Sequence, residues 1–295
     1  FDGNGKTVSL NINQTARKSC GLFGAIAEGA NIHDVTVEGT VNSTFDDAGI
    51  KSFIDSTVGI YIESHFGGAD TKSKSFLYKL NVLQTNVLVL MKHIIKELSQ
   101  SDFDVSDCEL KIGTDIPAYT IKLPTGQNIA VYGSIDRVDV MNNGAEKYIR
   151  IVDYKTGTKT FKLSDILYGL NLQMLLYLYA VKMNGKEKYG DFVPAGILYM
   201  PATVPVISAD DNTTAEKIES TLDTKLKMNG ILLDDVKVIR GMDKSELGKY
   251  IPVKIKLDTP VSDRSLANIA QFGEIFKKLD ATIISMGQEL YSGNI

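Results

Sequence analysis

The sequence predicts an α/β fold in which a mixed central sheet is flanked by helices and preceded by a short β-rich segment. Residues 1–43 contain short β-rich runs separated by Gly and Asn. Residues 46–98 repeat apolar side chains with the period of an α-helix. After residue 99 the pattern changes to strands joined by turn residues, and helices and strands then alternate.

The N-terminal segment is predicted to be a separate part, residues 1–43, ahead of a second domain over residues 44–295. Its strands are expected at Thr7–Ile12 and Val35–Val37. Residues 21–39 resemble the GLUG-type repeat of β-solenoids on bacterial surface proteins. A solenoid coil buries its apolar edge only against neighbouring coils, and about three are normally needed. An ordinary β-hairpin or meander therefore stays open as the alternative.

The second domain is expected to begin with two long helices, over residues 46–64 and 74–98. The second helix carries an apolar stripe, which includes Leu77, Leu83 and Ile95 and is expected to lie in a core. Strands joined by glycine-containing turns follow, at residues 108–112, 119–123, 128–140 and 147–155. The later elements are predicted to be helix 164–183, strand 194–200, helix 215–226, strands 231–240 and 251–257, and helix 262–290.

Composition favours a folded protein and argues against a strongly basic nucleic-acid binder. Hydrophobic residues make up 43% of the 295 residues, and 32 basic against 36 acidic residues give a net charge of −4. Any contact with DNA must then come from a local patch. No apolar run approaches the roughly 18 residues of a membrane span, and no signal peptide opens the chain. A cytoplasmic protein without a membrane segment is predicted.

Two strands of the predicted sheet carry the residues that point to chemistry. Asp136 lies on one strand, and Asp153 and Lys155 lie two residues apart on the next, so these last two share a face. Charges within apolar strands lose hydration unless partners or a metal compensate them. Two carboxylates suit Mg²⁺ or Mn²⁺, and Lys155 can position or deprotonate a water. The alternative is a structural ion-pair network.

Three further positions are candidates for the same site. Gln173 and Tyr177 are polar residues in the apolar stripe of helix 164–183, although Gln173 can also be a core amide bonded to backbone. Glu109, on an earlier strand, is either a third metal ligand or a solvated strand residue. Asp139 faces away from Asp136 and is expected at the surface.

Asp136, the Asp153–Gly157 segment Asp-Tyr-Lys-Thr-Gly and the Gln173-x-x-x-Tyr177 pair resemble the RecB-type branch of the PD-(D/E)XK nucleases. Over about residues 75–295 the chain is similar to AddB-type nuclease domains of bacterial helicase-nucleases. The resemblance implies a PD-(D/E)XK core and a Mg²⁺-dependent exonuclease that hydrolyses single-stranded DNA during double-strand-break repair by homologous recombination. It also implies an AddA-like partner subunit and a Gln–Tyr pair that faces the active site.

The sequence departs from that family in two respects. Neither His65 nor His93 lies in the Gly-x-x-x-His motif of RecB-type nucleases, and His93 is expected at an exposed or boundary position. The iron–sulfur cluster of AddB-type domains is not expected, because the chain has only Cys20 and Cys108. Two rival hypotheses follow: an inactive nuclease-like scaffold or DNA-binding module, and a cell-surface β-solenoid interaction protein fused to this domain.

Overall fold

The computed structural model describes residues 2–14, 33–43, 47–157, 172–208, 210, 213–262 and 264–293, with residues 2–14 and 33–43 described by their backbone alone. The chain divides into two compact units, residues 1–92 and residues 93–295. The predicted boundary at residue 43 is a different division and stays a proposal. The nuclease-like motifs all fall in the second unit.

The first unit begins with β1 (Asp2–Gln14) and β2 (His33–Ser43), which pair in parallel with a register that ends at Gln14 opposite Ser43. A hairpin pairs its strands antiparallel, so these two strands do not form one. The solenoid assignment stays a prediction, and the segment over residues 21–26 lies outside the described residues. Helix α1 (Asp47–Phe66) agrees with the predicted helix.

Helix α2 (Lys74–Ser99) has the predicted bounds, but its apolar stripe does not lie in a core. Leu77, Leu83 and Ile95 are 38%, 56% and 38% exposed. The buried residues of this helix are His93 and Glu97, so the expectation was wrong. Apolar periodicity identifies the residues that share a helix face, but it does not identify what covers that face.

The second unit is built on a six-stranded mixed sheet, and a second layer of short strands and helices covers it. Its strands are β3 (Asp104–Ile112), β4 (Tyr119–Lys122), β5 (Asn128–Val131), β6 (Gly133–Asn143), β7 (Glu146–Lys155), β8 (Val193–Pro201), β9 (Asn229–Leu233), β10 (Lys254–Lys256), β11 (Thr259–Val261) and β12 (Leu266–Ala267). Its further helices are α3 (Gln173–Asn184), α4 (Lys186–Tyr189), α5 (Ala215–Leu226), α6 (Val236–Met242) and α7 (Ile269–Ser292).

The order of strands in the central sheet is β12-β9-β8-β7-β6-β3. Strands β3, β6 and β7 form an antiparallel meander, and β8 then pairs parallel to β7. This parallel step requires a crossover connection, and α3 supplies its described helical part. The predicted mixed sheet flanked by helices is therefore confirmed. The β4–β5 hairpin pairs separately from it.

Two predicted elements were wrong because capping residues start helices there. The predicted strand 231–240 ends at Leu233, since the Asp235 side chain accepts hydrogen bonds from Lys237 N and Val238 N and begins α6. The last helix begins at Ile269 rather than residue 262, because Asn268 and Gln271 form a reciprocal capping box. The short strands β11 and β12 occupy part of the preceding stretch.

Candidate active site

Asp136 and Asp153 are brought side by side by the antiparallel pairing of β6 and β7. At its end this ladder joins Arg137 to Val152, and the two aspartates follow one step beyond that pair. The backbone N–H of Tyr154 donates to Asp136 Oδ2 over 2.8 Å, which fixes that carboxylate against β7. The two carboxylates therefore meet on one face of the sheet.

Asp153 is a buried carboxylate that pairs with a lysine. Its side chain is 7% exposed and forms an ion pair with Lys155 Nζ, two residues further along the same strand. The oxygen of Asp153 in this ion pair is Oδ2. Lys155 Nζ also lies 5.9 Å from the centre of the Tyr199 ring, which is the register partner of Asp153 on β8.

Negative charge accumulates at this site. Burial raises the pKa of Asp136 above its ordinary value, and the charges of Asp153 and Glu109 raise it further, against the Tyr154 amide and Lys155. Burial together with Asp153 raises the pKa of Tyr199 to about 12. A carboxylate cluster that resists ionisation in this way favours a bound cation.

Glu109 lies one strand further out in the same row. It falls between the register pairs Cys108–Arg137 and Leu110–Ile135, which places it across from Asp136. Glu109 is exposed, its φ is 55°, and its Oε2 accepts a hydrogen bond from Ser134 Oγ over 2.9 Å. Among the described residues, no three His, Cys, Asp or Glu side chains converge as a group that could hold a metal.

Gln173 and Tyr177, on the first turn of α3, contact each other at the start of β6. Gln173 Nε2 donates to the Tyr177 hydroxyl over 3.1 Å, so the amide is bonded to this side chain. A Cβ added to Gly133 would lie 2.3 Å from the Tyr177 hydroxyl oxygen, so only glycine lets the tyrosine ring pack there. Residues 158–171, which include the first part of the predicted helix 164–183, lie outside the described residues.

The opposite face of the same strands carries a buried group of four charges. Arg137 Nη2 donates to Asp139 Oδ2 (2.9 Å) and Glu97 Oε2 (3.1 Å), while Arg150 donates through Nε to Asp139 (2.8 Å) and through Nη2 to Glu97 (2.6 Å). All four side chains are 2% exposed or less. We call Glu97, Arg137, Asp139 and Arg150 the charge quartet.

The charge quartet shows that one prediction was wrong, and two of its members were not predicted. Asp139 does face away from Asp136, but it is fully buried rather than at the surface, because two arginines satisfy its charge. Glu97 and Arg150 were not predicted as partners. The available signal was the parity of the strands, since Arg137 and Asp139 alternate with apolar residues on β6.

Tyr154 connects the two faces. Its backbone N–H bonds Asp136 on the candidate-site face, and its hydroxyl accepts from Arg137 Nη1 over 3.1 Å on the quartet face. Burial raises the pKa of the Tyr154 phenol, against the nearby charge of Arg137. Tyr154 therefore contacts both Asp136 and the charge quartet.

His93 is buried, contrary to the expected exposed or boundary position. It is 4% exposed, and its Nδ1 lies 3.3 Å from Asp223 Oδ1. The prediction was wrong because α2 turns its polar residues His93 and Glu97 inward at this level.

Cys108 is an exposed free thiol. Across the described residues no helix is long and apolar enough to cross a membrane.

Comparison with known proteins agrees with this geometry. Residues 70–286 match the PD-(D/E)XK nuclease superfamily. The chain is 34% identical over 254 residues to an AddB-type ATP-dependent helicase/deoxyribonuclease subunit of Thermoanaerobacter sp. (strain X514), which covers 83% of the chain and 22% of that relative. It is 36% identical over 230 residues to the protein of the same name from Clostridium kluyveri (strain NBRC 12016), covering 76% and 20%.

The chain thus spans about a fifth of the length of these relatives. The match covers β3, β6, β7, α3 and β8, which are the elements that position Asp136, Asp153, Lys155 and the Gln173–Tyr177 pair. The resemblance to AddB-type domains is confirmed by the similarity to these helicase/deoxyribonuclease subunits. The chain belongs to the PD-(D/E)XK nuclease superfamily.

Proposed function

We propose that this domain is a divalent-metal-dependent deoxyribonuclease that hydrolyses phosphodiesters of single-stranded DNA. The observation that carries the proposal is the pair of neighbouring carboxylates on Asp136 and Asp153, the second of them buried, with only the ammonium of Lys155 beside them. The relatives' name supplies the class of substrate, because it contains deoxyribonuclease. Single-strand preference and an exonuclease mode follow the AddB resemblance.

The donor set fits Mg²⁺ or Mn²⁺, since these hard cations prefer carboxylate oxygens and retain waters that a phosphate can displace. Asp136 and Asp153 would hold the ion, and Glu109 is a further carboxylate that would join only after leaving Ser134. When bound, the ion supplies Lewis-acid stabilisation of charge on a phosphoryl oxygen. The accumulated negative charge at Asp136 supports this fit.

The protein's own residues supply orientation and proton handling. Lys155, half-buried and held by Asp153, presents an ammonium group where it can orient an attacking water and carry a proton at Nζ. Tyr154 fixes Asp136 through its amide. Gln173 and Tyr177 fix each other at the start of β6, where they can order a substrate backbone.

The biological setting is proposed from the relatives alone. Both are named as a subunit of an ATP-dependent helicase/deoxyribonuclease. We place this domain with an AddA-like helicase-nuclease partner in double-strand-break repair by homologous recombination, in the cytoplasm. The unwinding activity in the relatives' name is assigned to another segment or subunit.

The test is a calorimetric titration with Mg²⁺ and Mn²⁺ of the wild type, Asp153→Ala and the control Asp191→Ala, whose side chain is 85% exposed. Cleavage of a labelled single-stranded oligonucleotide is then measured for each protein. We expect metal binding and cleavage in the wild type and the control, and neither in Asp153→Ala. Cleavage retained in Asp153→Ala contradicts the proposal.

A second function is favoured by one observation, the absence of three converging metal-ligand side chains among the described residues. In that case the domain is a nuclease-like scaffold that contacts DNA without cutting it. Metal binding without cleavage in the wild type would support this alternative. Loss of both in Asp153→Ala alone would support the enzyme.

A further inference from the structure

We propose that a basic cavity at the active-site end of the sheet binds backbone phosphates of single-stranded DNA, beyond the nucleotide that is cleaved. This inference rests on the proposed nuclease function. The cavity has a volume of about 1000 Å³ and is lined by Lys227, Lys254, Lys256 and Arg264, among others. We call these four residues the basic cavity.

Among the described residues, none of the four cations forms an ion pair within 4 Å, although the charge of Asp243 acts on Lys227. Neighbouring cations behave differently: Arg240 pairs with Glu246 and Asp258, and Lys249 pairs with Asp223. In a chain with a net charge of −4, four unpaired cations that converge on one cavity form a local positive patch. Because the chain as a whole is acidic, a contact with DNA requires a local positive patch of this kind.

The fold fixes this patch in place. Lys254 and Lys256 lie on the β10–β11 hairpin, which is tied down by the hydrogen bond from Ile255 N to Glu246 O over 2.8 Å. Lys227 precedes Met228, whose N–H donates to Tyr250 O over 2.9 Å. Cations held by an ordered backbone lose less conformational entropy when they bind an anion than free side chains do.

The sheet register places the basic cavity at the same end as the carboxylates. Asp153 pairs with Tyr199 on β8, and Tyr199 pairs with Asn229 at the start of β9. Two strand spacings separate Asp153 from Asn229, which is about 10 Å. Lys227 precedes Asn229 by two residues. Since β12 runs parallel to β9, the chain just before it, with Arg264, lies toward this end as well.

The chemistry favours a phosphate polymer rather than a single anion. Burial lowers the pKa of Lys227, the charge of Asp243 opposes this, and repulsion from Lys254 lowers it further, so an anion between the two lysines would relieve that repulsion. Four cations along an open cavity suit successive phosphates. No aromatic ring lines the cavity among its described lining residues, so bases are not expected to stack there and binding is independent of sequence.

The test uses the double variant Lys254→Glu/Lys256→Glu, because both side chains are exposed and their reversal leaves the core unchanged. Binding of a fluorescein-labelled single-stranded oligonucleotide is followed by anisotropy in EDTA, so that cleavage does not interfere. We expect affinity to fall at least about tenfold. The slope of the logarithm of the affinity against the logarithm of the salt concentration should become shallower by about 1.4, since each single-strand phosphate contact contributes about 0.7.

The matched control is Lys182→Glu/Lys237→Glu, which makes the same change in net charge. Both lysines are exposed; Lys182 is in the last turn of α3 and Lys237 follows the far end of β9, so both lie at the other end of the sheet. The variant Lys254→Arg/Lys256→Arg should keep the wild-type affinity for the oligonucleotide. Equal losses in the reversal and the control overturn the proposal.

Two further outcomes separate this proposal from the nuclease function. Asp153→Ala should abolish cleavage while it keeps oligonucleotide binding at the basic cavity. If the wild type binds the oligonucleotide at this cavity but never cleaves it, the nuclease function fails and the cavity assignment survives. If inorganic phosphate binds there and the oligonucleotide does not, the ligand is a small anion and the cavity assignment to DNA is wrong.

Discussion

Strands β6 and β7 carry charged side chains on both faces, and the two faces treat those charges in opposite ways. On the quartet face, Glu97, Arg137, Asp139 and Arg150 contain equal numbers of positive and negative groups and are joined by five hydrogen bonds. On the candidate-site face, the carboxylates of Asp136 and Asp153 outnumber the single ammonium of Lys155.

The difference separates two uses of buried charge. A balanced, hydrogen-bonded group of ions specifies how α2, β6 and β7 fit together, although it contributes little net stability over apolar packing. An unbalanced group is disfavoured in the folded protein unless a ligand completes it. Burial of charge alone would therefore not have distinguished the active site from the charge quartet, whereas charge balance does.

The largest effect is expected when the charge quartet is broken. Arg150→Met leaves Glu97 and Asp139 buried with one arginine between them, and should lower the free energy of unfolding by about 3–5 kcal/mol. Urea denaturation measures this change. The control Lys186→Met removes an exposed ion pair with Asp191 and should cost less than about 1 kcal/mol. Equal effects would show that the quartet is not acting as a unit.

Two matched aspartate variants test the contrast between the faces directly. Asp153→Asn removes one of the two carboxylates from a site with excess negative charge, so cleavage should fall at least about 100-fold without loss of stability, as several kcal/mol of metal-assisted stabilisation disappear. Asp139→Asn removes a carboxylate that two arginines need, so stability should fall instead. Cleavage rates and urea midpoints are measured for both variants. The same response in both would contradict the contrast between the candidate-site face and the quartet face.

Local patterns in the sequence predicted much of the fold and the central part of the candidate site. The strand pair around Asp136 and Asp153 was recoverable because alternation along a strand fixes which side chains share a face. The Gln173–Tyr177 contact was recoverable because residues four apart meet on a helix. Each of these inferences needs only one element and its immediate neighbour.

The errors came from contacts between residues far apart in the chain. Asp139 has its two arginine partners only two and eleven residues away, but nothing near it in sequence reveals Glu97, which binds the same arginines from a helix forty residues before Arg137. The basic cavity was not predicted, since Lys227, Lys254 and Arg264 come from three separate segments of the chain. Partner choice at such distances depends on tertiary packing, which a single sequence does not display.

A smaller effect is expected at the edge of the candidate-site face. Tyr177→Phe removes the hydroxyl that accepts from Gln173, and one neutral hydrogen bond contributes about 0.5–1.5 kcal/mol, so cleavage should fall by up to about tenfold. Tyr179→Phe is the control, because its hydroxyl bonds Asp280 instead. It should leave cleavage unchanged. A loss of activity in the control would show that helix α3 acts only through its packing.

The smallest effect concerns His93, one helical turn before Glu97 on α2. Burial lowers the pKa of His93, Lys96 adds to this, and Asp223 and Glu97 oppose it. The folded protein therefore keeps the imidazole neutral, whereas the unfolded chain gains a proton near the ordinary value of about 6.5. Stability from this residue is present above that pH and is lost as the pH falls.

The variant His93→Gln cannot bind that proton, so its urea midpoint should decline less than that of the wild type between about pH 7 and pH 5. Below that range Glu97 adds a separate loss, because the two arginines of the charge quartet hold its pKa below the usual value. A wild-type profile that is flat down to pH 5 would mean that His93 is protonated in the fold. In that case Asp223, at 3.3 Å, balances a charged imidazole as the arginines balance Glu97.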